Sequence, residues 1–176
     1  MNDETINVLE LLKKIKPNLS YDMICKLSNE QKREYHKRLE IFLKYNSMKK
    51  EDAEAPKNLN NLKGKSLEEL ATYLLKISGD LFVVKQNLRT NTNEIDQIFI
   101  PTQNAKVLIA NNVIDKHYEL FLGECKNYNK SIDVTYVGKF CSLLLTSQIK
   151  LGILFSYHGI SGKGWSDASG LVKKFY

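Results

Sequence analysis

The sequence lacks the features that define several protein classes. It has only three cysteines among 176 residues, with no Cys-x-x-Cys pair, which argues against a disulfide framework and against a zinc site. No apolar run reaches the roughly 18 to 20 residues that cross a bilayer. The acidic, polar N-terminus also lacks the basic and apolar regions of a secretory signal. We therefore expect a soluble, cytoplasmic chain that does not bind a membrane.

Charge gives a first indication of a partner. The formal net charge is +6 at pH 7. A basic balance favours polyanionic partners, because phosphate contacts by Lys and Arg release counterions. Many ordinary domains are equally basic, so charge alone leaves a nucleic-acid partner open. The composition, 43% hydrophobic and 26% charged, predicts a packed core rather than a disordered chain.

Residues 1–50 form a predicted N-terminal helical segment. Apolar residues at three-residue steps over 6–15 predict one amphipathic helix, and a short second helix is predicted over 20–27. Ser28 and Gln31 resemble a capping box that opens a longer helix reaching about residue 50. Amphipathic helices of this kind are suited to docking a partner protein, and the lysine-rich faces of the third are equally suited to nucleic acid.

A polar stretch over residues 51–62, with Pro and several Asn, predicts a linker. Beyond it, residues 63–176 mix helix and strand. Ser66 and Glu69 have the spacing of a capping box in front of an apolar helical stripe. Residues 102–117 are ambiguous between an insertion and a further strand. The predicted strands span residues 81–88, 94–100, 118–126 and 151–157, and helices are predicted to start near residues 133 and 165.

The order of these elements predicts the fold class. The strand over 151–157 carries apolar residues on both of its faces, which is typical of a central strand covered on both sides. Strands that alternate with helices indicate an α/β fold, with a mixed sheet flanked by helices.

The candidate chemistry lies at the ends of two predicted strands. Glu124 and Lys126 alternate onto one face of their strand, where an apolar run meets solvent. Asp96 shares a strand face with Ile98 and Ile100, and burying an acid there is costly unless it binds something. If the two strands are neighbours, the two acids can share a hard cation such as Mg²⁺. A lysine beside them stays charged and can offset charge on a phosphate.

These residues resemble a known superfamily. The helix opening at residues 63–68, the segment 93–96 and the segment 123–126 look like the restriction-endonuclease-like, or PD-(D/E)xK, nucleases. The closest similarity is to Mrr-like type IV restriction enzymes and Holliday-junction resolvases, over residues 63–176. The resemblance implies that Asp96 and Glu124 bind metal, that Lys126 is the catalytic lysine, and that Glu68 on the preceding helix supports the metal.

The resemblance implies a Mg²⁺-dependent DNA endonuclease, with Mn²⁺ as a substitute ion and double-stranded DNA as the substrate. Restriction or phage defence is the setting that it suggests, and cutting both strands favours a homodimer. A catalytically inactive nucleic-acid-binding module and a protein-interaction module on the same fold are the alternatives. Simpler roles also stay open, namely a surface ion pair for Glu124 and Lys126, a turn acid for Asp96 and a helix-start acid for Glu68.

Overall fold

The computed structural model describes residues 26–89 and 94–175. Within them it contains four strands and five helices. The strands are β1 (Phe82–Arg89), β2 (Glu94–Pro101), β3 (Phe121–Lys126) and β4 (Leu151–Ser156). The helices are α1 (Asn29–Ser47), α2 (Leu59–Lys76), α3 (Gln103–Ala110), α4 (Val134–Thr146) and α5 (Asp167–Phe175), with a 3-10 turn at Lys116–Glu119.

The four strands form one mixed sheet in the order β1-β2-β3-β4. The pairs β1–β2 and β2–β3 are antiparallel, whereas β3 and β4 run parallel. A parallel pair needs a crossover connection, and α4 supplies it between β3 and β4. The predicted α/β class with a mixed sheet is therefore confirmed. None of the described helices is long and apolar enough to cross a membrane.

Helix α1 begins as the sequence predicts. The Ser28 hydroxyl accepts from the Gln31 backbone N–H at 3.1 Å, and the Gln31 side chain accepts from the Ser28 N–H at 2.8 Å. Phe42 of α1 is buried against Leu67 and Cys125, so α1 shares a core with α2 and β3. The predicted helix over residues 6–15 lies outside the described residues. Of the predicted helix over 20–27, only the last two residues are described, and they are not helical.

Helix α2 begins at Leu59, earlier than predicted. Ser66 lies inside the helix, where its hydroxyl donates to the Lys63 carbonyl at 3.1 Å instead of capping the start. The predicted linker is therefore helical at its end. Tertiary contacts outweigh the weak helix propensity of this stretch, because Leu59 is buried and the Lys63 ammonium donates to the carbonyls of Asn46 and Met48.

Strand β4 lies at the edge of the described sheet, so the prediction of a central strand was wrong. Its two-sided apolar pattern has another cause. Phe155 packs against the α1–α2 cluster, whereas Leu154 packs with the residues of α4 on the opposite face. Both faces of the strand are covered although one edge has no partner strand within residues 26–89 and 94–175, and an apolar pattern cannot distinguish that arrangement from a central position.

The ambiguous stretch over 102–117 is mainly helical. Thr102 caps α3 by accepting from the Ala105 N–H at 3.3 Å, so residues 107–110 are helical and not a strand. The 3-10 turn that follows uses the first residues of the predicted strand over 118–126. Strand β3 is therefore shorter than predicted, and starts at Phe121.

Candidate active site

Strand β3 presents an acid and a base at its C-terminal end. Its alternation sends Cys125 into the core with Phe42 and Ala71. Glu124 and Lys126 lie on the other face, half-buried, as predicted. Burial raises the pKa of the Cys125 thiol, so this cysteine is a packing residue and not a nucleophile.

Asp96 joins this end of β3 from the neighbouring strand. The β2–β3 ladder ends at the pair Gln97–Gly123. It therefore does not include Asp96, the residue next to Gln97 on β2. The Asp96 carboxylate then takes the place of a backbone acceptor, and accepts from the Cys125 N–H at 3.0 Å. This bond fixes the carboxylate beside β3 and satisfies a backbone donor that the ladder leaves unpaired.

Lys126 contacts both acids. Its ammonium lies 2.6 Å from Glu124 Oε1 and 3.4 Å from Asp96 Oδ2. The three side chains are only 13 to 19% exposed, so water screens these charges less than it would at the surface. The predicted set of Asp96, Glu124 and Lys126 is thus assembled at one point, and the alternative of a solvent-exposed ion pair does not describe it.

The charges of this cluster are strongly interdependent. Burial alone would lower the pKa of Lys126, but the bond to Glu124 and the attraction of Asp96 outweigh it and raise that pKa. Burial raises the pKa of Glu124, and the Lys126 ammonium opposes the rise. Because each carboxylate stabilises the ammonium, Lys126 stays protonated at neutral pH and carries the fixed positive charge of the site.

Glu68 of α2 lies near enough to this cluster for the charges of Asp96, Glu124 and Lys126 to act on it. Burial raises its pKa, and the nearby carboxylates of Asp96 and Glu124 add to the rise while Lys126 opposes it. A half-buried acid that is repelled by two further acids attracts a cation or a proton. Among the described residues, however, no three His, Cys, Asp or Glu side chains converge at the spacing of a metal site.

The donor chemistry nevertheless fits Mg²⁺. Asp96 and Glu124 offer two carboxylates at one point, which is the usual protein share for this ion, with water and phosphate oxygens completing its shell. The thiol of Cys125, the cysteine next to these acids in the chain, lies in the core and is not offered to an ion there. The role of Glu68 as a third acid close to the ion stays a prediction.

The sequence reading missed Gln97, which ties α2 to β2. Its side chain is fully buried, and its amide donates to Thr72 Oγ1 at 2.7 Å and to the Glu68 carbonyl at 3.2 Å. This contact holds the turn of α2 that carries Glu68 over the sheet. A glutamine between Ile95 and Phe99, on the inward face of a strand, is the signal that could have revealed it.

Two tyrosines next to Lys126 were also missed. The rings of Tyr128 and Tyr136 meet edge to face at 5.4 Å between centroids. The ammonium groups of Lys126 and Lys139 each lie 5.7 Å from the centre of the Tyr136 ring. Burial and the hydroxyl of Tyr136 raise the pKa of Tyr128 to about 12, which keeps it neutral. No sequence motif links these residues, because they meet only when α4 folds beside β3.

Comparison with protein-family models, with curated proteins and with solved structures finds no match for this chain. The likeness to the restriction-endonuclease-like nucleases therefore rests on the motifs and on the geometry of Asp96, Glu124 and Lys126.

Proposed function

We propose that this chain is a Mg²⁺-dependent deoxyribonuclease of the PD-(D/E)xK type, which hydrolyses phosphodiester bonds in DNA. The observation that carries the proposal is the meeting of Asp96 and Glu124 at the Lys126 ammonium. Two acids bonded to one half-buried lysine bury like and unlike charges together, which is costly for a structural ion pair and useful for binding a cation and a phosphate.

Asp96 and Glu124 are the residues that would hold the ion. Bound Mg²⁺ supplies positive charge next to the scissile phosphate and lowers the pKa of a water molecule. The Cys125 N–H keeps the Asp96 carboxylate in place, so little reorganisation is needed when a cation arrives. Glu68 adds negative charge to the same site and, through its raised pKa, favours a cation over an empty site.

Lys126 has a different part in the reaction. Its raised pKa makes it a poor proton acceptor at neutral pH, so its role is to stabilise charge. An ammonium fixed by two carboxylates can bind a phosphate oxygen and offset the negative charge that develops there. Its place beside the Tyr136 ring further limits the positions that the lysine can adopt.

The substrate follows from charge and from the resemblance. A net charge of +6 suits a polyanion, and double-stranded DNA is the form that we propose. Restriction or phage defence is the corresponding biological setting. One site per chain cuts one strand at a time, so a double-strand break would require two copies acting together.

A cleavage assay on plasmid and linear DNA tests the proposal. We expect nicking in Mg²⁺ and in Mn²⁺, none with chelator, and a loss of roughly 10²- to 10³-fold in Lys126→Ala and Asp96→Asn. Lys106→Ala, on the exposed side of α3, is the matched control and should cleave normally. Equal cleavage by all variants would show that the activity belongs to another site or to a contaminant.

The second candidate is an inactive nucleic-acid-binding module on the same fold. Lys126 already satisfies both acids within the chain, at 2.6 and 3.4 Å, and this self-contained pairing favours it. The module should bind DNA with a steep salt dependence and with no response to Mg²⁺. If the folded protein bound DNA equally well with and without Mg²⁺ and did not cleave it, the binding module would be favoured over the nuclease.

A further inference from the structure

An aromatic and basic surface adjoins the proposed site. We define it as the tyrosine rim, made of Tyr128, Tyr136 and Lys139. Tyr128 lies in the loop just after β3, and the other two lie on the first turns of α4. The Tyr128 ring is exposed, that of Tyr136 is half-buried, and Lys139 is exposed. The rim is continuous with the site because Lys126 and Lys139 both approach the Tyr136 ring.

We propose that the tyrosine rim binds an unpaired DNA strand, so that the substrate of this chain is DNA with a locally single-stranded segment at the site. A base stacks on Tyr128, while Lys139 binds the backbone phosphate next to it. The strand then continues towards Lys126. This inference rests on the proposed nuclease function and narrows its substrate from double-stranded DNA to duplexes that carry a frayed, gapped or flapped segment.

The faces of the Tyr128 and Tyr136 rings favour an unpaired strand. Tyr136 is partly covered and flanked by two lysines, whereas Tyr128 meets it edge to face and keeps exposed ring surface. A base can stack on that surface only if its own face is free, and in a duplex both faces are covered by neighbouring bases. Neutral tyrosine at physiological pH also adds no charge that would repel the phosphates.

The positive charge of the rim supports the same occupant. The ammonium groups of Lys139 and Lys126 each lie 5.7 Å from the centre of the Tyr136 ring, so two positive charges flank this ring. The two carboxylates bonded to Lys126 offset part of that charge, whereas Lys139 is exposed on α4. An exposed lysine next to an exposed aromatic ring is the combination by which proteins follow a single strand without reading its sequence.

The chain offers a matched control for Tyr128. Tyr118 is equally exposed, at 38% against 37%, but it precedes β3 and lies at the opposite end of that strand. Its ring contacts are with Phe82 and Phe121, in the aromatic core. Replacing either tyrosine by alanine removes a half-exposed ring of the same size, and only one of the two belongs to the rim.

Binding is measured by fluorescence anisotropy in chelator, so that no cleavage intervenes. The probes are a labelled single-stranded oligonucleotide and a blunt duplex of the same sequence. We expect the wild type to prefer the single strand. Tyr128→Ala should weaken single-strand binding roughly 5- to 100-fold, since stacking of one base contributes that much. Tyr128→Phe should bind like the wild type, because it keeps the ring, and so should Tyr118→Ala.

Lys139→Gln separates the phosphate contact from stacking. It should lower the slope of log affinity against log salt by about one, and leave the preference for the single strand intact. Thermal melting of each variant shows whether the protein is still folded. Equal weakening by Tyr128→Ala and Tyr118→Ala, or equal binding of duplex and single strand by the wild type, would overturn the proposal.

The outcomes also separate this inference from the proposed function. Cleavage in Mg²⁺ with unchanged binding by Tyr128→Ala would reject the rim and keep the nuclease. Loss of single-strand binding in Tyr128→Ala, in a protein that never cleaves, would keep the rim and reject the nuclease.

Discussion

The two ends of strand β3 contrast in chemistry. At the first end, Phe121 is buried, stacked on Phe99 at 4.6 Å between centroids and edge to face with Phe82 at 5.0 Å. At the other end, Glu124 and Lys126 hold opposite charges in a half-buried setting. The six residues of β3 thus lead from a purely apolar environment to a charged one.

The contrast shows how one strand serves two purposes. Burying aromatic rings is favourable by itself, so the first end stabilises the fold. Burying charges costs free energy that their mutual attraction only partly returns, so the second end does not exist for stability alone. The aromatic end holds β2 and β3 in register, and that register brings Asp96 to the charged end.

The largest effect should come from truncating the aromatic end. Phe121→Ala removes a ring with three aromatic neighbours and leaves a cavity, so the free energy of unfolding should fall by about 3–5 kcal/mol. Denaturant unfolding monitored by circular dichroism measures the change. Phe175→Ala, whose ring is half-exposed at the end of α5, is the control and should lose far less. Similar losses in both variants would contradict the assignment of this end as the stabilising one.

A smaller effect on stability is expected at Gly123, which lies between the aromatic and the charged end of β3. A Cβ at this position would lie 2.6 Å from the Phe99 ring and 2.8 Å from Gln97 Oε1. Both neighbours are fully buried and cannot move away freely. Gly123→Ala should therefore lower the free energy of unfolding by roughly 1–3 kcal/mol, the usual cost of overpacking. Thermal and denaturant unfolding give the measurement.

The matched substitution is Gly64→Ala in α2. An added Cβ meets nothing within 4 Å there, and alanine is the better helix former by roughly 0.5–1 kcal/mol. Gly64→Ala should thus stabilise the protein while Gly123→Ala destabilises it. If the two substitutions changed stability in the same direction, close packing at Gly123 would not be the reason for glycine in β3.

The charged end of β3 was predictable from sequence because strand alternation is a local property. Glu124 and Lys126 had to share a face once their segment was a strand. The capping box at Ser28 and the helix start near residue 133 are local signals as well, and the structure shows both. Predicting that Asp96 lies beside Glu124 and Lys126 needed one further assumption, namely that its strand pairs with β3. The structure shows that β2 and β3 do pair.

The parts that sequence did not reveal depend on distant residues. Ser66 had a good local capping pattern, but the buried contacts of Leu59 and Lys63 extended the helix past it. The edge position of β4 is set by which strands pair, and side-chain polarity does not encode pairing. Tyr128 and Tyr136 form a surface only after the crossover helix returns to β3.

The smallest effect concerns Glu68, whose negative charge is unfavourable next to the acids at the charged end of β3. The pKa of Glu68 is raised above its ordinary value of 4.5 by burial and by the neighbouring acids. The folded protein therefore holds this proton more tightly than the unfolded chain does. Stability therefore falls as the pH rises from about that ordinary value through the folded pKa. Glu68→Gln removes this loss, so it should stabilise the metal-free protein at pH 7 and change little in acid.

Denaturant unfolding in chelator at several pH values measures this difference. Glu69→Gln is the control, since the neighbouring side chain is about half-exposed and pairs only loosely with Lys65 at 3.8 Å. Its effect should vary little with pH, whereas the gain from Glu68→Gln should grow as the pH rises. A gain of the same size in both variants would mean that Glu68 bears no special repulsion. A gain confined to Glu68 would show that an acid is kept where it weakens the fold, as expected of a residue that serves to attract a cation.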